Sequence, residues 1–457
     1  MHHYLASDHQ TVEAMAELPE EILYQILAYH EPPNEPHAPY DQVQPRLGTL
    51  AALCRTNSVF RRLCTPLLYG TIDLRHGSEL RLHKLLHTLV HRSELAQMVH
   101  QVRTPAFEAR PLDLHDPLHK LSSAALIVAT RESTTILSSR LIRSIVKGLQ
   151  IKDPDAYIAL LLVFCPNLQK WELDIAESVY GSRKLSVLIN ANVRDNGSLG
   201  ALHEVTALHS GGGHSCVDLM DLAPIMLHSS LRSFTAQRVY CGSSSKEVPY
   251  EVLNYEHPTI LQHLELLTSS IDAEGVRTIL TICPSLRSLA IHWADAVTGL
   301  FHTVNWGSIG DILRQNGRKL QNLRLDVTGK DPSVPRGTSS KPLGSLQGLE
   351  RLQDLAVPAQ ALRGDVGMLV DVPSVAELSD LLPSSLAHLE IHALEGYHSI
   401  PLREQVRRIT SDQNGCFPNL RSILLRTPHG VSNIPKLPLG SAWRSSESAS
   451  AVLLQRS

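Results

Sequence analysis

One pattern constrains this chain more than any other: Leu-x-x-Φ-x-Φ, with Φ apolar, recurs along most of its length. Copies begin at Leu168, Leu202, Leu231, Leu261, Leu286, Leu320, Leu352, Leu386 and Leu420, at intervals of 34, 29, 30, 25, 34, 32, 34 and 34 residues. Within each copy the apolar positions alternate, the signature of a short strand with one buried face. A strand every 25–34 residues cannot close a core by itself. Each unit buries its apolar face only when the next one stacks on it, so the pattern demands a quasi-one-dimensional array. The copies at Leu202, Leu231 and Leu352 are the most degenerate.

The intervals leave room for a helix between strands. Asp272 is a candidate N-cap ahead of the stripe Val276, Ile279, Leu280 and Cys283, and Pro284 stops the run. Asp153-Pro154 opens a similar segment ending at Cys165-Pro166, and Ser374 with Glu377 reads as a capping box. These units resemble leucine-rich repeats, and the Cys-Pro-x-Leu junctions resemble the cysteine-containing class of that family. The resemblance implies an α/β solenoid, with parallel strands on the concave side and helices on the convex side. Residues between the Φ positions then face the concave surface. They name a candidate substrate surface: Glu172, Asp174, His263, Glu265, His292, Arg324, Asp326, His388, Glu390, His392 and Arg426. Acidic residues outnumber basic ones across the strands, which favours a partner of some basic character. Any such array also needs polar residues there simply to stay soluble.

The N-terminal block has a different character. Leu18-Pro19-Glu20-Glu21-Ile22-Leu23 opens a helix, with Pro suited to the first turn and the acids to the positive end of the helix dipole. Leu50-Ala51-Ala52-Leu53-Cys54, Phe60-Arg61-Arg62-Leu63 and Pro66-Leu67-Leu68-Tyr69 follow at helical spacing. Glu31 to Arg46, rich in Pro, reads as a surface loop. The block is similar to the F-box in its fungal form, which is often paired with leucine-rich repeats. That resemblance implies docking to the Skp-type adaptor of a cullin–RING ubiquitin ligase through Leu18, Pro19, Ile22, Leu23, Ile26, Leu50, Leu53, Phe60, Leu63, Leu67 and Tyr69. The repeats would then bind a protein substrate. The plainer alternative makes the helices a cap on the solenoid, and the chain a scaffold acting outside ubiquitination.

The expected organisation is a disordered N-terminus over 1–14, an F-box over 15–70, and capping helices with a first atypical repeat over 71–152. Leucine-rich repeats follow over 153–427, then a mobile Ser- and Pro-rich tail over 428–457. Within the capping region, Glu79 to Val102 reads as a helix and strand, Arg103 to His119 as a loop and Ala124 to Leu149 as helical. Lys330 to Ser345 reads as a surface excursion.

A net charge of −3 gives no reason to expect a nucleic-acid partner. The longest apolar run, Ala156 to Cys165, is too short to span a bilayer, and the first residues lack a signal-peptide apolar core. Seven dispersed cysteines suit reduced thiols in a cytoplasmic or nuclear protein. The 24 histidines show no metal-ligand spacing; His115 and His119 are separated by Pro117. Gly211-Gly212-Gly213 lacks the Lys-Ser/Thr ending of a phosphate loop, and no catalytic signature is present. The expectation is a non-catalytic protein without cofactor or metal.

Overall fold

The computed structural model describes residues 19–29, 40–75, 79–104, 139–151, 154–175, 199–209, 216–242, 259–293, 304–327, 341–363, 377–392, 399–411, 416–426, 443–448 and 451–456. Leu18, the 1–14 segment, the Gly211–Gly213 run and Ser374 lie outside them, as do 105–138 and 330–340. The chain divides into two compact units, Met1–Thr206 and Ala207–Ser457.

The first unit opens with three helices, α1 (Glu20–Ala28), α2 (Tyr40–Leu53) and α3 (Ser58–Gly70). Pro19 caps α1, its carbonyl accepting from the Ile22 and Leu23 amides at 3.0 Å. Asn57 Oδ1 caps α3, accepting from Phe60 N at 2.8 Å. Leu23, Leu27, Leu50, Phe60, Cys64 and Leu67 form the small core, with Leu53, Val59, Leu63 and Leu68 around it. The loop expected up to Arg46 is corrected at its end: residues 40–46 belong to α2, with Pro45 inside the helix.

No linker separates these helices from the strands. α3 runs directly into β1 (Thr71–Asp73), and α4 (Glu79–His91) and the short α5 (Ser93–Ala96) lead to β2 (Gln101–Thr104). The loop expected from Arg103 is therefore corrected at its first two residues. After α6 (Ser139–Gln150) and α7 (Pro154–Phe164) comes β3 (Lys170–Asp174). β1, β2 and β3 pair in parallel, with Asp73, Arg103 and Glu172 in one register row. The strand β4 (Glu204–Leu208) begins in this unit and ends in the next.

The second unit carries the regular array. β5 (Val217–Asp218), α8 (Leu219–Met226), β6 (Ser233–Gln237), β7 (Val239–Cys241), β8 (His263–Ile271), α9 (Ala273–Ile282) and β9 (Ser288–Trp293) come first. α10 (Trp306–Asn316), β10 (Asn322–Val327), β11 (Asp354–Pro358), α11 (Ala359–Arg363) and α12 (Leu378–Leu381) follow. Then come β12 (His388–His392), α13 (Ser399–Ser411), β13 (Ser422–Arg426), β14 (Trp443–Ser448) and β15 (Ala451–Arg456). The sheet order is β6-β8-β9-β10-β11-β12-β13-β15-β14, parallel from β6 to β13.

Every Φ position and leading Leu of the nine motif copies is buried, none more than 5% exposed. The three degenerate copies are as well buried as the rest, because Ala207, Ala236 and Val357 need only be apolar and small enough to stack. Asp272 caps α9, its Oδ1 accepting from Gly275 N at 2.8 Å. Gly275 is required there, since a Cβ would lie 2.2 Å from the Cys241 carbonyl oxygen. Ser374, expected in the capping box of α12, lies outside the described residues; Glu377 is the N-cap there, makes no side-chain capping bond and pairs instead with Arg408.

The tail expectation is also corrected. β15 pairs antiparallel with β13 and β14 with β15, and Val452 and Leu454 are buried. The hairpin supplies hydrogen-bond partners to β13, which would otherwise end the array as an open edge.

Candidate functional site

Two surfaces have the chemistry to meet a partner. The first lies on α1. Leu23 and Leu27 point into the helical core, while Ile22 is 42%, Tyr24 47% and Tyr29 84% exposed. Among the described residues only Ile151 and Ile260 are comparably exposed large apolar side chains, so α1 and its C-cap concentrate this feature. Arg62 of α3 pairs with Glu20 and holds the helix end. Pro19 is exposed, Ile26 and Tyr69 are partly buried, and Leu53 and Leu63 are partly buried against the core. Leu23, Leu50, Phe60 and Leu67 are interior. They shape the block from within.

In the first unit, the outward strand row is closed off. Arg75 Nη2 lies 2.7 Å from Asp73 Oδ2 and Arg75 Nη1 lies 3.2 Å from Glu172 Oε1. Arg103 Nε is 3.3 Å from Glu172 Oε2, and its Nη1 is 3.6 Å from Asp73 Oδ2. Four charges thus alternate in a ring, and Arg103 is fully buried. Burial opposes the charge on Asp73, but the hydrogen bonds from Arg75 outweigh it and hold the carboxyl below its usual range. Glu172, expected to face a substrate, is buried in this ring and serves the fold. Asp174 is the next outward residue on β3, partly buried.

In the second unit the outward row is open. One register line reads Glu265, Ala290, Arg324, Ala356, Glu390, Leu424 from β8 to β13. Long charged side chains therefore alternate with alanines. Alongside it, Asp326 accepts two imidazoles, with His392 Nδ1 at 3.2 Å and His292 Nδ1 at 3.5 Å. His392 reaches from β12 across β11, whose outward Ala356 and Pro358 are buried and small. His392 Nε2 lies 3.3 Å from Glu390 Oε1, which also takes Arg426 Nε at 2.5 Å. These are ion-pair approaches off the hydrogen-bond axis rather than aligned bonds. Burial disfavours the imidazolium of His392, but Asp326 and Glu390 outweigh it and push its pKa up to about 9. The two imidazoles hold Asp326 well below the ordinary carboxylate range, and His392 lowers Glu390. His263 and His388 are exposed, His388 Nδ1 standing 2.7 Å from Ser422 Oγ.

With the geometry in place, the sequence profile of the leucine-rich repeat domain matches residues 75–426. The chain belongs to the leucine-rich repeat family. No curated protein matches it. Leucine-rich repeat domains mediate protein–protein interaction, and the open outward row is where this one presents its chemistry.

The surplus of acidic residues does not survive as a charge preference in this leucine-rich repeat protein. Glu172 is neutralised by two arginines, Asp326 is paired with His392, and Glu390 with His392 and Arg426. Sequence reasoning missed Asp73, Arg75 and Arg103, and also Tyr24 and Tyr29. The outward–inward alternation extended back to Gln101–Thr104 would have found Arg103; Tyr24 within α1 and Tyr29 at its C-cap have no apolar stripe to mark them. Among the described residues no group of three or more His, Cys, Asp or Glu side chains is disposed to hold a metal ion, and no helix is long and apolar enough to cross a membrane. Burial pushes the thiols of Cys165 and Cys283 up to about 12 and is the main cause raising Cys64 to about 11, which suits packing more than nucleophilic chemistry.

Proposed function

We propose that this leucine-rich repeat protein is an intracellular, non-catalytic substrate-recognition adaptor of an SCF-type cullin–RING ubiquitin ligase. Its N-terminal helices dock the Skp-type subunit as an F-box, and the repeats hold a protein substrate. The observation that carries this reading is α1, which packs Leu23 and Leu27 into the helical core and leaves Ile22 and Tyr24, on either side of that buried edge, and Tyr29 at its C-cap uncovered. A small helical block with such exposed apolar side chains is built to be covered by a partner's helices. The direct passage of α3 into β1 joins the helices to the first strands without a linker, and transfer by other subunits depends on positioning.

The same passage supports the second reading, in which the helices cap the array and the chain is a scaffold outside ubiquitination. Co-expression with the Skp-type subunit, followed by size-exclusion chromatography, separates the two. A one-to-one complex that admits the cullin and supports ubiquitin transfer supports the adaptor. A stable complex that excludes the cullin, or no complex, supports the scaffold.

A further inference from the structure

The open row contains a notch whose chemistry is specific. Its floor is Ala290 on β9, partly exposed. Its walls are Glu265 on β8 and Arg324 on β10, in register with Ala290 on either side and with side chains 46% and 40% exposed. Strands lie about 4.8 Å apart, so the wall backbones stand about 9.6 Å apart over a methyl group. His292, the next outward residue of β9, closes the end. Among the described residues, Arg324 Nε and His292 Nε2 are buried atoms with no hydrogen-bond partner. Unpaired buried polar atoms are rare and costly, and here two border one recess.

We infer that this notch is where the concave face reads its partner, and that it takes an uncharged carboxamide, the side chain of Asn or Gln. The inventory of donors and acceptors argues for it. Arg324 Nε–H needs an acceptor. Glu265, whose nearest ion-pair partner is His292 Nε2 at 3.7 Å, needs a donor. A carboxamide offers one acceptor and two N–H donors in one plane. The walls carry one charge of each sign, so a charged ligand would meet repulsion from one of them. A lysine satisfies Glu265 but not the Arg324 Nε–H, a carboxylate does the reverse, and a backbone amide supplies a single donor.

This inference rests on the concave face being the substrate-binding surface, and its test reads peptide binding rather than ubiquitin transfer, so either can fail alone. The full chain is panned with a phage-displayed random dodecapeptide library, beside Ala290→Leu, which fills the notch, and Glu265→Lys at an exposed position that leaves folding intact. The expected result is enrichment of Asn or Gln at one position on the wild type and its loss on both variants. A selected peptide should weaken about tenfold when that residue becomes Glu or Leu, the scale of one lost hydrogen bond with an unpaired partner. Should Ala290→Leu fail to fold, Glu265→Lys carries the comparison. Enrichment of charged residues, pools that do not differ between wild type and Glu265→Lys, or no enrichment would each overturn it.

Discussion

The outward rows of the first and second units use the same strand positions for opposite ends. In the first, Asp73, Arg103 and Glu172 stand side by side on adjacent strands and with Arg75 form a closed, buried ring. In the second, Glu265, Arg324 and Glu390 are separated by Ala290 and Ala356, and the side chains of Glu265 and Arg324 reach solvent. The difference lies in spacing. Charges on neighbouring strands at about 4.8 Å neutralise each other and permit burial, whereas charges two strands apart leave notches between them. A parallel repeat array can therefore turn one row into architecture and another into a recognition surface by inserting alanine at every second strand.

The contrast is open to mutation, and the largest effect is expected in the closed ring. Arg103→Met leaves Asp73 and Glu172 short of a partner in a buried site and should destabilise the first unit by about 3 kcal/mol, read as a shifted urea transition. A change below about 1 kcal/mol would mean the ring is not a structural element. Asp326, which is tied to two imidazoles, should rank second. The pKa of His392 is raised to about 9 in the fold from an ordinary 6.5. Its stabilisation is therefore complete below pH about 6.5 and is lost as pH rises through about 9. Melting temperature should fall across that window in the wild type, and Asp326→Asn should flatten the fall. An unchanged profile in Asp326→Asn would break the claim that Asp326 holds His392 charged. A smaller effect is expected from Asp272→Ala, which removes the cap of α9 and should cost about 1 kcal/mol. Smallest of all is Arg324→Met, a half-exposed wall of the notch, which should move stability by less than about 0.5 kcal/mol. A larger loss there would make the open row structural too and erase the contrast.

The repeat array was legible because burial demands a periodic apolar pattern, and the nine motif copies place nine strands correctly, including those beginning at Glu204, Ser233 and Asp354. The Asp272 cap was legible for the same reason: a local hydrogen bond has a local signature. What stayed hidden depends on distant partners. Arg103 reads as a loop residue because nothing in its neighbourhood shows that Asp73 and Glu172 will flank it. The hairpin at Trp443–Arg456 follows a Ser- and Pro-rich segment, and its strand character comes from the open edge of β13. Pro45 suggests a loop, yet α2 accommodates it. The concave residues were legible as a face, but the pairing of Asp326 with His292 and His392 needed the register, and so did the notch over Ala290.

The most direct test compares two neighbouring residues of α1 in full-length protein co-expressed with the Skp-type subunit, by size-exclusion chromatography and thermal melting. Ile22→Asp alters the uncovered face and should abolish the complex while leaving the melting temperature of the isolated chain unchanged. Leu23→Ala, one residue further on, hollows the helical core and should destabilise the block by about 3 kcal/mol. Retention of the complex by Ile22→Asp, or unfolding of the block by that substitution, would contradict the account and return α1 to the role of a cap.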